Sequence, residues 1–260
     1  MVSSKVKQAE AIARQAGALL VTLFNPTGVP ASYKEDHSLV TEADLASDQM
    51  ISQALQENYS SAAILSEERL TELDINSGEV WVIDPLDGTT NFSLGLQYWG
   101  ISIANLNGGI PDATAIYFPL LDEMYTASRG EGAFLNNRRI TLSQPNPGHT
   151  APFFSCCSRT YRRYKVNIPY KTRILGSGTY SLCSVASGRA IVGFEATAKI
   201  WDIAGAWLIV TEAGGAIELY QGDPPFPLQT GINYAKVNLA VLAAGSPELL
   251  AKARSQITSI

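Results

Sequence analysis

Asp84 and Asp87 close an apolar run, Trp81-Val82-Ile83-Asp84-Pro85-Leu86-Asp87-Gly88-Thr89-Thr90-Asn91-Phe92. Folding alone does not ask for this: two neighbouring buried carboxylates repel and lose hydration unless a cation joins them. Pro85 stiffens the turn between them, so their oxygens can converge on one point, with the Leu86 carbonyl as a neutral ligand. Gly88 lets the backbone approach a ligand closely, and the amides of Gly88 and Thr89 can form an anion-binding concavity. Hard oxygen donors beside such a concavity suit magnesium gripping a phosphate. The chemistry expected is metal-dependent hydrolysis of a phosphate ester.

Three other acidic sites can join this pair. Glu67-Glu68 follows the apolar stretch Ala62-Ala63-Ile64-Leu65, as Asp84 follows its own, so both can sit at one sheet edge. Read alone, the glutamate pair is also an ordinary surface pair. Asp202, in Lys199-Ile200-Trp201-Asp202-Ile203-Ala204, is either a helix N-cap or a ligand. Asp44, in Leu39-Val40-Thr41-Glu42-Ala43-Asp44, is either a first-turn helix acid or part of the same site.

Apolar spacing supplies the elements that must position these groups. Val6, Ala9, Ile12, Ala13, Ala16, Leu19 and Leu20 recur at helical intervals, predicting a helix over residues 4–24 that ends at Asn25-Pro26-Thr27-Gly28. Residues 41–58 read as a second helix, with Leu45, Ile51 and Leu55 toward the core. Residues 62–66 and 80–83 read as short buried strands, and 101–106, 113–118 and 124–128 as antiparallel sheet. Ser143-Gln144-Pro145-Asn146-Pro147-Gly148 is the best linker, dividing an N-terminal α+β half (1–142) from a C-terminal α/β half (149–260). Beyond it, 179–188 and 202–213 read as helices, 239–244 as a strand, and Ser246-Pro247-Glu248 as the start of a last helix. Two sheets in a layered α/β assembly are expected.

Composition narrows the function. With 260 residues, 46% hydrophobic and 17% charged, the chain has ample core, and its formal net charge of −5 argues against a broad nucleic-acid interface. The basic, aromatic cluster Arg159-Thr160-Tyr161-Arg162-Arg163-Tyr164-Lys165 reads as a solvated loop or a lip that draws in an anionic substrate, with RNA contact as the alternative. Cys156, Cys157 and Cys183 give no disulfide framework and no C-x-x-C, which favours reduced thiols in the cytoplasm. The N-terminus lacks signal-peptide features, and no apolar run is long enough to span a membrane. His37 and His149 lie in no metal-binding or catalytic motif.

Taken jointly, Glu67, the Asp84-Pro85-Leu86-Asp87-Gly88-Thr89-Thr90 motif, and Trp201-Asp202 followed by Glu212-Ala213-Gly214-Gly215 resemble the inositol monophosphatase family of magnesium-dependent, lithium-sensitive phosphatases. The resemblance covers residues 32–244 and implies a layered αβαβα sandwich of the inositol monophosphatase/fructose-1,6-bisphosphatase type, acting as a cytoplasmic homodimer. It assigns one magnesium to Glu67, Asp84 and the Leu86 carbonyl, a second to Asp84, Asp87 and Asp202, and a third, looser one near Glu67. It places the phosphate on the amides of Gly88 and Thr89, beside Asp87 and Asp202. Glu195 and the turn Gly176-Ser177-Gly178 fall where the family contacts sugar hydroxyls. Asp44 would hydrogen-bond Thr89, and Thr89 with Glu67 would orient the attacking water. Lys199 is a departure, a cation beside the sugar site that would favour an extra anionic group.

The substrate implied is a small sugar or polyol phosphate, inositol 1-phosphate first. Fructose 1,6-bisphosphate, histidinol phosphate and a 3′-phosphorylated nucleotide are the alternatives, and a non-catalytic RNA- or protein-binding role is a further one. A haloacid dehalogenase-type phosphatase would also join aspartates to Gly-Thr, but spaces them D-x-D-G-T. Here the spacing is one residue longer.

Overall fold

The computed structural model describes residues 3–34, 39–69, 78–142 and 152–260. The linker at 143–148, His37 and His149 lie outside the described residues.

The strand Glu79–Asp87 shows how the layers arise. Side chains alternate between the two faces of a strand. Here Trp81 and Ile83 enter one core with Ile12, Leu20, Ile51 and Leu55, while Val80 and Val82 enter another with Leu182, Ile203 and Ile209. A strand covered on both faces has no polar side to show, which is why its sequence is a continuous apolar run. It belongs to a seven-stranded sheet in the order Ala63–Ser66, Glu79–Asp87, Gly100–Asn107, Ile110–Phe118, Glu123–Ser128, Gly132–Leu135, Arg138–Ile140. The first pair is parallel and the remainder antiparallel.

Helices Ser4–Leu23 and Glu42–Asn58 cover the outer face of this sheet. Helices Gly178–Ala186 and Ile200–Glu212 fill the space between it and a five-stranded sheet. The second sheet runs Lys171–Arg173, Phe153–Cys156, Ala190–Ala198, Leu239–Ala244, Ala216–Leu219. Helix Pro247–Ser255 packs on its far face through Leu250 and Ala253. The order is helix pair, sheet, helix pair, sheet, helix, the αβαβα sandwich expected. Helix Ile200–Glu212 lies close on the large sheet because residue 205 is glycine; a Cβ there would meet Thr114 Oγ1 at 2.5 Å.

Most element positions agree with the apolar spacing, and the differences have physical causes. Leu45 is 54% exposed rather than core-facing; the buried stripe of its helix runs through Ala43, Ser47, Ile51 and Leu55 instead. The strand expected at 80–83 extends to Asp87, with a register shift between Asp84 and Asp87 opposite Ser102 and Gly100. Such a shift re-aims side chains at a strand end. The strand Ala190–Ala198 went unrecognised because Gly193, Glu195 and Thr197 interrupt its apolar pattern.

Candidate active site

Strand ends and helix starts from both halves of the chain deliver the acids. Asp84 and Asp87 leave the strand Glu79–Asp87, and Asp202 stands in the first turn of helix Ile200–Glu212. One carboxylate oxygen from each of the three lies within 4.8 Å of the others. Asp84 and Asp87 are buried. Asp202 does serve its helix start, since its Oδ2 accepts the Lys199 amide at 2.8 Å. Its place in the triad shows that the capping role and the ligand role are compatible.

Each member has an orienting partner. The Leu86 amide donates to Asp84 Oδ1 at 3.1 Å. Asp87 receives the Ser177 hydroxyl, the Thr179 amide at 2.9 Å and the Gly178 amide at 3.2 Å, which tie the strand end to the start of helix Gly178–Ala186. Within the turn expected to contact a sugar, the Ser177 hydroxyl thus holds Asp87. Asp44 Oδ2 accepts the amide and hydroxyl of Thr41, both at 2.7 Å, and its Oδ1 accepts the Thr89 hydroxyl at 2.9 Å. Thr89 Oγ1 also lies 3.1 Å from the Leu86 carbonyl. Gly88 turns the chain at φ 90°, and a Cβ there would stand 2.8 Å from the Tyr98 carbonyl, so the approach requires glycine.

Electrostatics show what the cluster needs. Burial first, then Glu67, Asp87 and Asp202, raises the Asp84 carboxyl well above the usual range. Burial also raises Asp87 against the hydrogen bonds it accepts. Burial and Asp87 push Asp202 up to about 7. Glu67 is pushed up to about 8, by burial first, with Lys34 opposing and Asp202 and Glu68 adding. An all-oxygen donor set so short of positive charge fits a hard divalent cation. Among the described residues this is the one grouping of three or more such side chains placed to hold a metal.

Lys34 partly answers that need, and sequence reasoning missed it. Its Nζ lies 3.1 Å from Glu67 and 2.6 Å from Glu68, so this pair is neither a solvated surface pair nor a pure ligand set. A cation on Glu67 competes with a metal there. Lys34→Met is therefore expected to tighten divalent-ion binding several-fold, read by calorimetric titration of chelator-treated protein; unchanged or weaker affinity would rule out the competition.

Glu195 is buried, and its carboxyl is raised well above the usual range by burial first, then by Cys157. A Cβ at Gly178 would stand 3.9 Å from Asp202 Oδ2 and from Glu195 Oε2, so this turn lies between the two acids. Gly176, Ser177, Gly178, Glu195 and Asp202 together line one side of a cleft of about 870 Å³. Lys199 does not face that cleft: its Nζ donates to the Ala235 carbonyl at 2.5 Å. The expectation of an anion-selecting cation at position 199 is corrected accordingly.

A family model described as the inositol monophosphatase family matches residues 2–258. The chain belongs to the inositol monophosphatase family. Among curated relatives, the Nus factor SuhB of Escherichia coli K12 is 34% identical over 232 residues, covering 85% of this chain and 86% of that protein. The solved structure of the suppressor protein SuhB from Bartonella henselae superposes with a TM-score of 0.79 at 26% identity, covering 98% of each chain. An inositol monophosphatase from Thermotoga maritima gives 0.78 at 26% identity, covering 97% of each. Membership supports a phosphatase-type fold, and the chain's own acidic triad supports a metal site. The name Nus factor belongs to those bacterial relatives.

Proposed function

We propose that this chain is a magnesium-dependent phosphoric monoester hydrolase acting on a small sugar or polyol phosphate, with inositol 1-phosphate as the first candidate. The convergence of buried Asp84 and Asp87 with part-buried Asp202 carries the reading. Glu67, Asp84, the Leu86 carbonyl, Asp87 and Asp202 would hold the magnesium. Magnesium held there would make water more acidic and would stabilise charge on the departing alkoxide.

The chain's own groups do the remainder. The amides of Gly88 and Thr89 hold phosphate oxygens. Asp44 accepts a hydrogen bond from the Thr89 hydroxyl, which leaves a Thr89 Oγ1 lone pair free to accept from the attacking water. Thr89 and Glu67 orient that water, and Glu67 accepts its proton. The water oxygen bonds to phosphorus, the ester P–O bond breaks, the departing alcohol oxygen takes a proton from solvent, and Glu67 returns its own proton to solvent. Glu195 and the Gly176-Ser177-Gly178 turn address the sugar hydroxyls. The same family reading carries a homodimer, lithium sensitivity and two tightly packed halves as expectations. Three free cysteines accord with a cytoplasmic setting, and among the described residues no helix is long and apolar enough to cross a membrane.

The relatives named Nus factor suggest a second reading, in which the fold serves partner binding without catalysis. Retention of the full carboxylate set supports hydrolysis over it. Phosphate release from inositol 1-phosphate, fructose 1,6-bisphosphate, histidinol phosphate and 3′-phosphoadenosine 5′-phosphate, with magnesium and then with chelator, tests the proposal. Chelator-sensitive release supports it; silence across the panel from folded, magnesium-loaded protein turns the weight to partner binding.

A further inference from the structure

Between Glu131 and Glu195 the chain has no acidic residue, yet it carries nine of its 19 lysines and arginines. In a chain of net charge −5 this is a strong segregation of charge. Only one of the nine, Arg159, lines the cleft described above. Its Nη1 lies 3.3 Å from Thr197 Oγ1, and among the described residues it enters no ion pair. A five-donor guanidinium at a cleft wall with one long hydrogen bond has most of its donors open to a ligand.

Position along the cleft matters as much as charge. Thr197, which Arg159 touches, stands two residues beyond Glu195 on the same strand. Asp202 and Gly178 line the cleft's acidic end, while Leu96 and Ile174, each about half exposed, contribute apolar wall. At about 870 Å³ the cleft lies toward the upper end of the range that drug-sized ligands occupy. A six-carbon ring with one phosphate leaves much of it empty.

We propose that Arg159 is a specificity-determining residue, whose guanidinium receives a second anionic group, phosphate or carboxylate, on a phosphate monoester whose scissile phosphate sits at the acidic end. This rests on the hydrolytic reading above and names its substrate class more closely. Guanidinium pairs bidentately with either anion. The acid-free segment around Arg159 supplies no carboxylate to compete for it.

Matched pairs test this without knowledge of the natural substrate. Fructose 1,6-bisphosphate is compared with fructose 1-phosphate, and 3′-phosphoadenosine 5′-phosphate with 3′-adenosine monophosphate, using magnesium-loaded protein. The wild type is expected to show higher kcat/KM on the two-anion member of at least one pair. Arg159→Gln is expected to lower that ratio by roughly tenfold or more, and Arg159→Lys to restore part of it. A preference that weakens with added salt in the wild type but not in Arg159→Gln adds a readout that a merely structural role would not move. Turnover without preference in either pair, or a preference that survives Arg159→Gln, overturns the inference and leaves the hydrolytic reading standing. Silence on every member, and on inositol 1-phosphate, overturns the hydrolytic reading and this inference with it.

Discussion

Asp84→Asn is expected to lower kcat/KM by roughly three orders of magnitude or more while leaving a folded protein that is more stable than wild type when both lack metal. Asparagine keeps the shape of the side chain and a carbonyl oxygen for the Leu86 amide, which donates to Asp84 Oδ1 at 3.1 Å. It removes a charge that is repelled by Glu67, Asp87 and Asp202. A neutral amide binds magnesium far less well than a carboxylate, so the charge needed for water activation and departure of the alkoxide goes with it. The same substitution relieves repulsion among buried acids in the metal-free fold. The opposing signs, activity down and metal-free stability up, distinguish a lost ligand from a damaged fold. Turnover near the wild-type value in purified Asp84→Asn would remove Asp84 from the ligand set; a folded protein without that metal-free gain would show the acids already neutralised.

The parts of the site that were legible in the sequence are those whose residues contradict ordinary folding. Asp84 and Asp87 end a strand that is otherwise apolar, and no packing benefit accounts for them. Helix starts were legible for a local reason: Thr41 caps its helix by accepting from Ala43, and Ser246 accepts from Leu249 with Pro247 behind it. What stayed hidden depends on partners distant in sequence. Lys34 meets Glu67 across 33 residues, and Ser177 meets Asp87 across 90. Neither residue type announces such a contact. Lys199 shows the reverse error: it is adjacent in sequence to the site helix, but its chain bends back to Ala235. Proximity in sequence fixes where a backbone starts, not where a long flexible side chain ends.

The metal-free protein is expected to lose stability as pH rises from about 4 to about 8, and magnesium is expected to abolish that loss. In the folded chain burial and mutual repulsion raise Asp84, Asp87, Asp202 and Glu67, with Asp202 at about 7 and Glu67 at about 8. In the unfolded chain these groups return to the ordinary carboxylate range near 4. Between those values the folded state holds more protons than the unfolded one, so unfolding free energy falls with rising pH. Below about pH 4 both states are protonated and the penalty vanishes; as pH rises through about 7 and about 8 the contributions of Asp202 and Glu67 reach their full size. One pKa unit corresponds to about 1.4 kcal/mol, so the cluster costs on the order of several kcal/mol at the alkaline end. A bound divalent cation favours the ionised forms and reverses the slope that these groups contribute. Thermal melts of chelator-treated protein across that window, each repeated with excess magnesium, read both effects. In Asp84→Asn the metal-free decline should be shallower, because one ionisation is gone and its neighbours titrate closer to their ordinary values. A flat metal-free profile, or one that magnesium leaves unchanged, would mean that these carboxylates are satisfied by the protein itself and are not waiting for a cation.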